Sequence, residues 1–334
     1  MDTIKKILVI GASAGGLKAV TDLISNFPEH DSVSVFVVLH VSKNSMGEVI
    51  VHHLQKHTSL TCRLPVNGEQ IKSRHLYVAP PDHHMLIKNG QIRIHNGPHE
   101  NRWRPSIDVL FRSAAVEFNS KVIGIVLSGL LDDGTSGMGA IKRSGGICIV
   151  QEPSEAEFAD MPNNVLNNVD VDYRVSIADM SYVLQDLFTK PGADPVEIPR
   201  EIKLEADLTE RMSSRVQDLE EIADHSVLNC PDCGGGLCKI RNDNVTRYRC
   251  HTGHVYTEKV LMQVQSEEIE ETLWVAIRML EERRNLLLSV ANHERDAGLN
   301  GEGVDKNKRA KEVSMHIDRL KTVLQTISLN EPND

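Results

Sequence analysis

Three apolar runs in this chain end on residues able to do nucleophilic chemistry. Ile7-Leu8-Val9-Ile10 leads into Gly11-Ala12-Ser13-Ala14-Gly15-Gly16, and Val33 to Leu39 closes on His40. Val122 to Leu127 leads into Ser128-Gly129-Leu130-Leu131-Asp132-Asp133-Gly134. Serine is a weak nucleophile at neutral pH; it needs a base within hydrogen-bond reach, and that base needs an orienting acid. The G-x-S-x-G spacing is that of a strand-to-helix elbow that lifts a serine hydroxyl clear of the turn. Its glycines allow positive φ and close backbone approach. If the three runs are parallel strands, Ser13, His40 and the Asp132-Asp133 carboxylates all reach one sheet edge. The order Ser, His, Asp excludes the α/β-hydrolase fold, which runs Ser, Asp, His.

A glycine-rich first turn has a rival use, cradling the phosphates of a dinucleotide. That fingerprint requires G-x-G-x-x-G and an acid closing the second strand. Here Ser13 replaces the second glycine, and the second run closes on His40.

A second cluster has metal-ligand spacing. Cys230-Pro231-Asp232-Cys233 precedes Cys250-His251-Thr252-Gly253-His254. Thiolates and imidazoles at C-x-x-C and C-x-x-x-H spacing suit tetrahedral zinc. The expected ligands are Cys230, Cys233, Cys250 and His254, with Cys238 and His251 in reserve, on a short hairpin turning at Asn242-Asp243-Asn244. Four protein ligands leave no open position, so the zinc is expected to be structural and no cofactor is expected for catalysis. A redox C-x-x-C would need the thioredoxin setting of a strand entering a helix, which is missing here.

The elements that must position these groups follow from periodicity. Up to about residue 190, strand-like runs alternate with helical stretches such as Ile107 to Phe118 and Met138 to Ser144. Near-continuous apolar strands are those of a sheet covered on both faces. The expectation is an α/β fold with a doubly wound, mainly parallel sheet. Sites in such folds lie beyond the carboxyl ends of the strands. Asn89-Gly90 predicts a hairpin between Leu86-Ile87-Lys88 and Gln91 to His95. From about residue 257, Ile269, Leu273, Ala276 and Leu280, and then Val313, Ile317, Leu320 and Leu324, form a/d-type stripes. Gly298 to Gly303 separates the two, which predicts a helical hairpin. The organisation expected is 1–190 catalytic domain, 191–224 linker and helix, 225–256 zinc-ribbon-like module, 257–330 helical hairpin.

Composition narrows the function classes. A net charge of −10 over 334 residues argues against nucleic-acid binding. No run approaches the roughly 20 apolar residues of a membrane span, and no signal peptide opens the chain, so no membrane insertion and a cytoplasmic location are expected. In that compartment the six cysteines are thiols or metal ligands. Cys62 and Cys148 are expected to be inert core residues, and His52, His53, His57, His83 and His84 surface or supporting residues.

Several stretches together resemble the catalytic domain of bacterial chemotaxis protein-glutamate methylesterases of the CheB type. They are Gly11 to Gly16, the strand ending in His40, Leu127 to Gly134, Tyr77-Val78-Ala79-Pro80-Pro81-Asp82-His83-His84-Met85, Arg104-Pro105-Ser106-Ile107-Asp108-Val109-Leu110-Phe111, and Met161-Pro162. The resemblance spans roughly residues 4–185. It implies hydrolysis of glutamate γ-methyl esters on methylated chemoreceptor helices, with glutamine deamidation as a related activity. By position it implies Ser13 as nucleophile, His40 as general base and then acid, and Asp133 as the orienting acid, with oxyanion donors at the backbone N–H groups of Ala14 and Leu130. The chain departs from the family in carrying Ala14 in place of Thr, and Gly129-Leu130-Leu131 in place of Gly-Met-Gly. No counterpart of the receiver domain usual before this domain is expected here. The C-terminal part is therefore the candidate for regulation, by autoinhibition or by docking a regulatory protein. The alternative function is a non-catalytic scaffold that binds receptors through an esterase-like fold.

Overall fold

The computed structural model describes residues 6–28, 30–190, 193–212, 215–296 and 302–329. In chain order the elements begin β1 (Lys6–Ala12), α1 (Gly16–Ser25), β2 (Val33–Leu39), α2 (Gly47–Gln55), β3 (Thr61–Arg63), β4 (Glu69–Gln70) and β5 (His75–Val78). They continue with β6 (His84–Lys88), β7 (Gln91–His95), α3 (Ile107–Phe118), β8 (Val122–Val126), α4 (Thr135–Arg143), β9 (Ile147–Gln151), α5 (Asp160–Asn168), β10 (Tyr173–Val175) and α6 (Ile177–Thr189). After these come α7 (Arg200–Arg211), α8 (Val216–Ile222), β11 (Ala223–Asn229), β12 (Gly236–Ile240), β13 (Arg247–Cys250), β14 (Val255–Thr257), α9 (Glu258–Asp296) and α10 (Glu302–Leu329).

The chain forms two compact units, Met1–Val260 and Leu261–Asp334. In the first, seven strands pair in the order β10-β9-β8-β1-β2-β5-β3, and every pairing is parallel. β1 is the switch point, with β2 on one side and β8 on the other. Alternation along β1 divides the core: Ile7 and Val9 pack under α3, α4 and α5, while Leu8, Ile10 and Ala12 pack under α1 and α6. Burial on both faces explains why these strands read as unbroken apolar runs. β6 and β7 form the expected hairpin, with both turn residues left-handed (Asn89 φ 53°, Gly90 φ 66°), as a type I′ turn requires.

The Cys/His segment folds into a four-stranded antiparallel sheet, β11-β12-β13-β14. The described residues up to 190, the α7–α8 segment and this small sheet all belong to the first unit. Three fully buried arginines, Arg112, Arg247 and Arg249, join them. Arg247 makes a bidentate pair with Glu205 of α7 at 2.8 and 2.8 Å, and also pairs with Asp243. Arg112 of α3 reaches Glu100 at 2.6 Å and Glu205 at 3.1 Å, and Arg249 reaches Glu100 at 3.3 Å. Three cations thus meet three carboxylates. Burial opposes ionisation of Glu100 and Glu205, but the adjacent arginines hold both below the usual carboxylate range.

In the second unit, the core of the helix pair is Ile277, Val313, Ile317 and Leu324, flanked by Leu273, Leu280, Leu287 and Leu320. The α10 stripe is the expected one. On α9 the inward position is Ile277, where Ala276 was expected, and Ile269 is exposed. The spacing 273, 277, 280 also keeps a four–three step, so either phase fitted the pattern and the larger side chain took the seam. Most of the Gly298 to Gly303 connector lies outside the described residues.

Candidate active site

Three adjacent strand ends build the site. Ala12 and Leu39 are register partners on β1 and β2, so Ser13 and His40 leave neighbouring strands together, and His40 N–H donates to Ala12 O at 3.1 Å. On the other side, Ser13 N–H donates to Ser128 O at 3.0 Å, tying the elbow to the end of β8. Ser128 Oγ donates to Ala14 O at 2.8 Å and accepts from Phe158 N–H at 2.9 Å. Gly15, at φ 68°, makes the turn into α1. A Cβ on Gly129 would stand 2.8 Å from Ser13 Cβ and closer still to Met161 Sδ. The glycine is therefore needed for Met161, buried in α5, to pack beneath the serine.

His40 Nε2 bonds Asp133 Oδ2 at 2.8 Å, with both side chains buried. An ionised carboxylate only accepts, so Nε2 carries the hydrogen and Nδ1 holds the basic lone pair. His40 Nδ1 is buried and has no protein partner; no hydrogen bond joins it to Ser13. Trp103 stacks flat on the imidazole, centroids 4.1 Å apart and planes within 9°. This ring fixes the imidazole plane and offers a π face to the imidazolium.

Asp133 sits on the N-terminus of α3. Its Oδ2 also accepts from Ile107 N–H at 2.7 Å; its Oδ1 accepts from Ser106 Oγ at 2.9 Å, Asn101 Nδ2 at 3.2 Å and Asp108 N–H at 3.3 Å. Burial would raise this carboxyl, but the bond and charge of His40, the Ile107 N–H and Asn101 hold it below the usual range. Asp108 accepts from Gly134 and Gly137 N–H at 3.0 and 2.6 Å. Burial, and then the charge of Asp133, push Asp108 well above the ordinary range. Of the two buried acids, Asp133 keeps the charge. Asp132 makes no bond to His40, and burial raises its carboxyl.

The N–H groups of Ala14 and Leu130 donate to no protein acceptor among the described residues, so both are available to a developing oxyanion. Leu131 adopts φ 64°, a left-handed conformation that suits glycine. Asn164 Nδ2 holds its carbonyl at 2.7 Å. The backbone path of a glycine is thus kept by a leucine.

Several supporting residues had no assigned role in the sequence. Asn101, Trp103, Ser106 and Asp108 all lie in the loop and helix start following the ββ hairpin; the motif from Arg104 to Phe111 was visible, but its partners were not. His84 is fully buried, not at the surface. Its Nε2 donates to Pro98 O at 2.8 Å and its Nδ1 accepts from Ser106 N–H at 3.3 Å. Burial lowers it to about 4, so it is the neutral ring that holds Ser106. Arg104 ties its loop to Asp82 at 3.0 and 2.6 Å. Burial pushes the thiols of Cys62 and Cys148 up to about 11 and about 12.

The Cys/His cluster converges. One ligand atom each from Cys230, Cys233, Cys250 and His254 lies within 4.8 Å of the others. Cys233 Sγ is 3.7 Å from Cys250 Sγ, and His254 Nδ1 is 3.6 Å from both Cys230 Sγ and Cys250 Sγ. Cys238 lies elsewhere, 3.6 Å from His225 Nδ1, and His251 is not in the cluster.

Comparison with known proteins identifies the parallel-sheet domain. The CheB methylesterase family profile matches residues 8–184. A Leptospira interrogans protein, provisionally designated protein-glutamate methylesterase/protein-glutamine glutaminase, is 37% identical over 171 residues, 51% of this chain and 88% of its own length. The Salmonella typhimurium protein-glutamate methylesterase/protein-glutamine glutaminase is 33% identical over 193 residues, 57% of this chain and 54% of its own length. The chain thus spans about half of that longer relative. The crystal structure of the Thermotoga maritima CheB methylesterase catalytic domain superposes with a TM-score of 0.52 at 28% identity, covering 55% of this chain and 98% of that one. No described helix is long and apolar enough to cross a membrane. The chain belongs to the CheB methylesterase family, and its enzyme class is that of the protein-glutamate methylesterases.

Proposed function

We propose that this enzyme hydrolyses glutamate γ-methyl esters on methylated chemoreceptors, in chemotaxis or a related signalling system of the cytoplasm, through a Ser13–His40–Asp133 triad. The observation that carries the reading is His40. One ring nitrogen is locked on a buried carboxylate, the other is left basic, and the ring leaves the sheet beside Ser13.

The chemistry follows from these groups. Ser13 Oγ attacks the ester carbonyl carbon as His40 Nδ1 takes its proton. The carbonyl oxygen becomes an oxyanion, received by the N–H groups of Ala14 and Leu130; one such donor is typically worth ~3–4 kcal/mol in the transition state. The tetrahedral intermediate collapses, the imidazolium returns the proton to the methoxy oxygen, and methanol leaves. Water, deprotonated by His40, then attacks the acyl-serine; the acyl–Oγ bond breaks as the imidazolium returns that proton to Ser13 Oγ, and the glutamic acid formed ionises to the carboxylate as it leaves. Asp133 stays ionised throughout and stabilises the imidazolium. With a glutamine side chain the same cycle releases ammonia, the deamidase activity named for the relatives.

The C-terminal helices belong to the same proposal as a docking element for a regulatory protein; exposed Trp274, Met279 and Leu286 on α9 support it. Mass spectrometry of a methylated receptor fragment before and after incubation tests the activity: loss of methyl groups from glutamates supports it. A fragment that binds but keeps every methyl group, with no turnover of a small activated ester, would establish the scaffold instead.

A further inference from the structure

The small antiparallel sheet reaches the catalytic centre through Asn101. Asn101 Oδ1 accepts from Thr257 N–H of β14 at 3.0 Å, while Asn101 Nδ2 donates to Asp133 Oδ1 at 3.2 Å and Asp108 Oδ2 at 3.1 Å. The backbone of the same loop is clamped as well. Asn101 N–H donates to Val255 O at 2.8 Å, and Val255 N–H donates to His99 O at 3.2 Å. Two residues further on, Trp103 lies on His40. The loop turns at Asn101 through φ 53°, a left-handed conformation that asparagine enters more readily than other non-glycine residues. Fully buried Glu100 is meanwhile paired with Arg249 of β13.

Val255 directly follows His254, and Arg249 directly precedes Cys250. The clamp on the catalytic loop therefore hangs from two members of the Cys/His cluster. All four ligand atoms lie within 4.8 Å of one another, and three of the spacings match the edges of a tetrahedral ion site. Zn–S bonds of roughly 2.3 Å and Zn–N bonds of roughly 2.0 Å give tetrahedral edges of roughly 3.8 Å between sulfurs and roughly 3.5 Å between sulfur and nitrogen. The distances here are 3.7 Å for Cys233–Cys250 and 3.6 Å for both sulfur–nitrogen pairs. A supporting shell is in place: His254 Nε2 faces Asp232 Oδ2 at 3.7 Å, and Asp232 accepts from Tyr256 OH at 2.7 Å. Such outer carboxylates orient a ligating histidine and fix its tautomer.

We infer that Cys230, Cys233, Cys250 and His254 bind one structural Zn²⁺, and that this metal knot, through β14 and Asn101, holds the catalytic loop and Asp133 in their working positions. The inference rests on the hydrolytic reading above. Zinc takes no part in the reaction; Asn101 is a positioning residue. Misplacing a triad by about 1 Å can lower turnover by about 100-fold, so removing the metal is expected to lower kcat at least tenfold with little change in KM.

The test uses the full chain. Metal analysis of purified protein should find one zinc per chain, lost in Cys233→Ser. Cobalt added to the chelated protein should give the visible absorption of a tetrahedral thiolate site. Chelation should lower kcat for an activated ester, and Zn²⁺ should restore it. Asn101→Gly accepts the left-handed backbone and removes only the side chain. It should keep one zinc per chain and an unchanged circular dichroism spectrum while kcat falls at least tenfold at near-constant KM. Absence of stoichiometric zinc and of the cobalt spectrum would overturn the site. Full kcat in Asn101→Gly would overturn the coupling, whatever chelation does to folding. If the wild type hydrolysed no ester at all, the hydrolytic reading and the coupling would fail together, while the metal analysis and cobalt spectrum would still decide the site.

Discussion

His40 meets Asp133 through Nε2, at 2.8 Å, and leaves Nδ1 buried without a protein partner. The carboxylate holds the ring from its far corner, and the nitrogen next to the side-chain stem is the one left to accept a proton in the proposed reaction. Because Asp133 is also bound by Ile107, Ser106, Asn101 and Asp108, it can neither rotate away nor take up a proton readily near neutrality.

Asp133→Asn should therefore be far more damaging to turnover than to folding. The amide reverses the hydrogen that Nε2 must carry, and the comparable change in a Ser-His-Asp protease lowers kcat about 10⁴-fold. Ester hydrolysis by D133N within tenfold of wild type would show that this carboxylate does not orient His40.

The depressed pKa of His84 links stability to pH. The ring titrates near 6.5 when unfolded and at about 4 in the folded protein, so the fold favours its neutral form. Its contribution is complete above about pH 6.5 and is lost as pH falls toward about 4, amounting to about 2 kcal/mol by about pH 5. Urea unfolding at about pH 7.5 and about pH 5 should show this loss in wild type and a smaller one in His84→Gln. Equal losses in both would assign the pH dependence to other groups.

Leu131 at φ 64° predicts an ordering of substitutions. The left-handed backbone is strained by roughly 1–2 kcal/mol for an ordinary residue. Leu131→Gly removes that strain, offset in part by the added freedom of the unfolded chain. Leu131→Val adds β-branching in the same conformation. Thermal melts should place Gly at or above wild type and Val below it by more than about 1 kcal/mol; the reverse order would mean that packing of the leucine side chain dominates.

The buried ion network gives a contrast in magnitude. Glu205→Gln leaves Arg112 and Arg247 short of a carboxylate in a fully buried setting. Breaking one partner of such a pair is expected to destabilise by about 3–5 kcal/mol. Removing the exposed Glu152–Arg174 pair should leave stability nearly unchanged, because solvent screens it. Denaturant midpoints compare the two directly, and similar small effects would show that water reaches the network.

The parallel sheet and the cluster at its edge were legible because burial on both faces leaves a strong apolar signature, and because Ser13, His40 and Asp133 each lie on the loop that such a run leads into. The Cys/His cluster was legible from spacing alone, since Cys230, Cys233, Cys250 and His254 do converge. What could not be read were pairings between distant segments. Arg112, Arg247 and Arg249 look like surface charges until Glu100, Glu205 and Asp243 are seen beside them. Nothing local marks His84 as a buried acceptor, or Asn101 as the link between β14 and Asp133. On α9, Ala276 and Ile277 fitted the same spacing, and only packing against α10 chose between them.

The most direct measurement is methanol release from a methylated chemoreceptor fragment by wild type and Ser13→Ala in parallel, with both proteins shown to melt at the same temperature. The account predicts steady release by wild type and none above the uncatalysed rate by S13A. Equal release by the two would contradict it, because the ester would then be cleaved without the serine that the elbow presents.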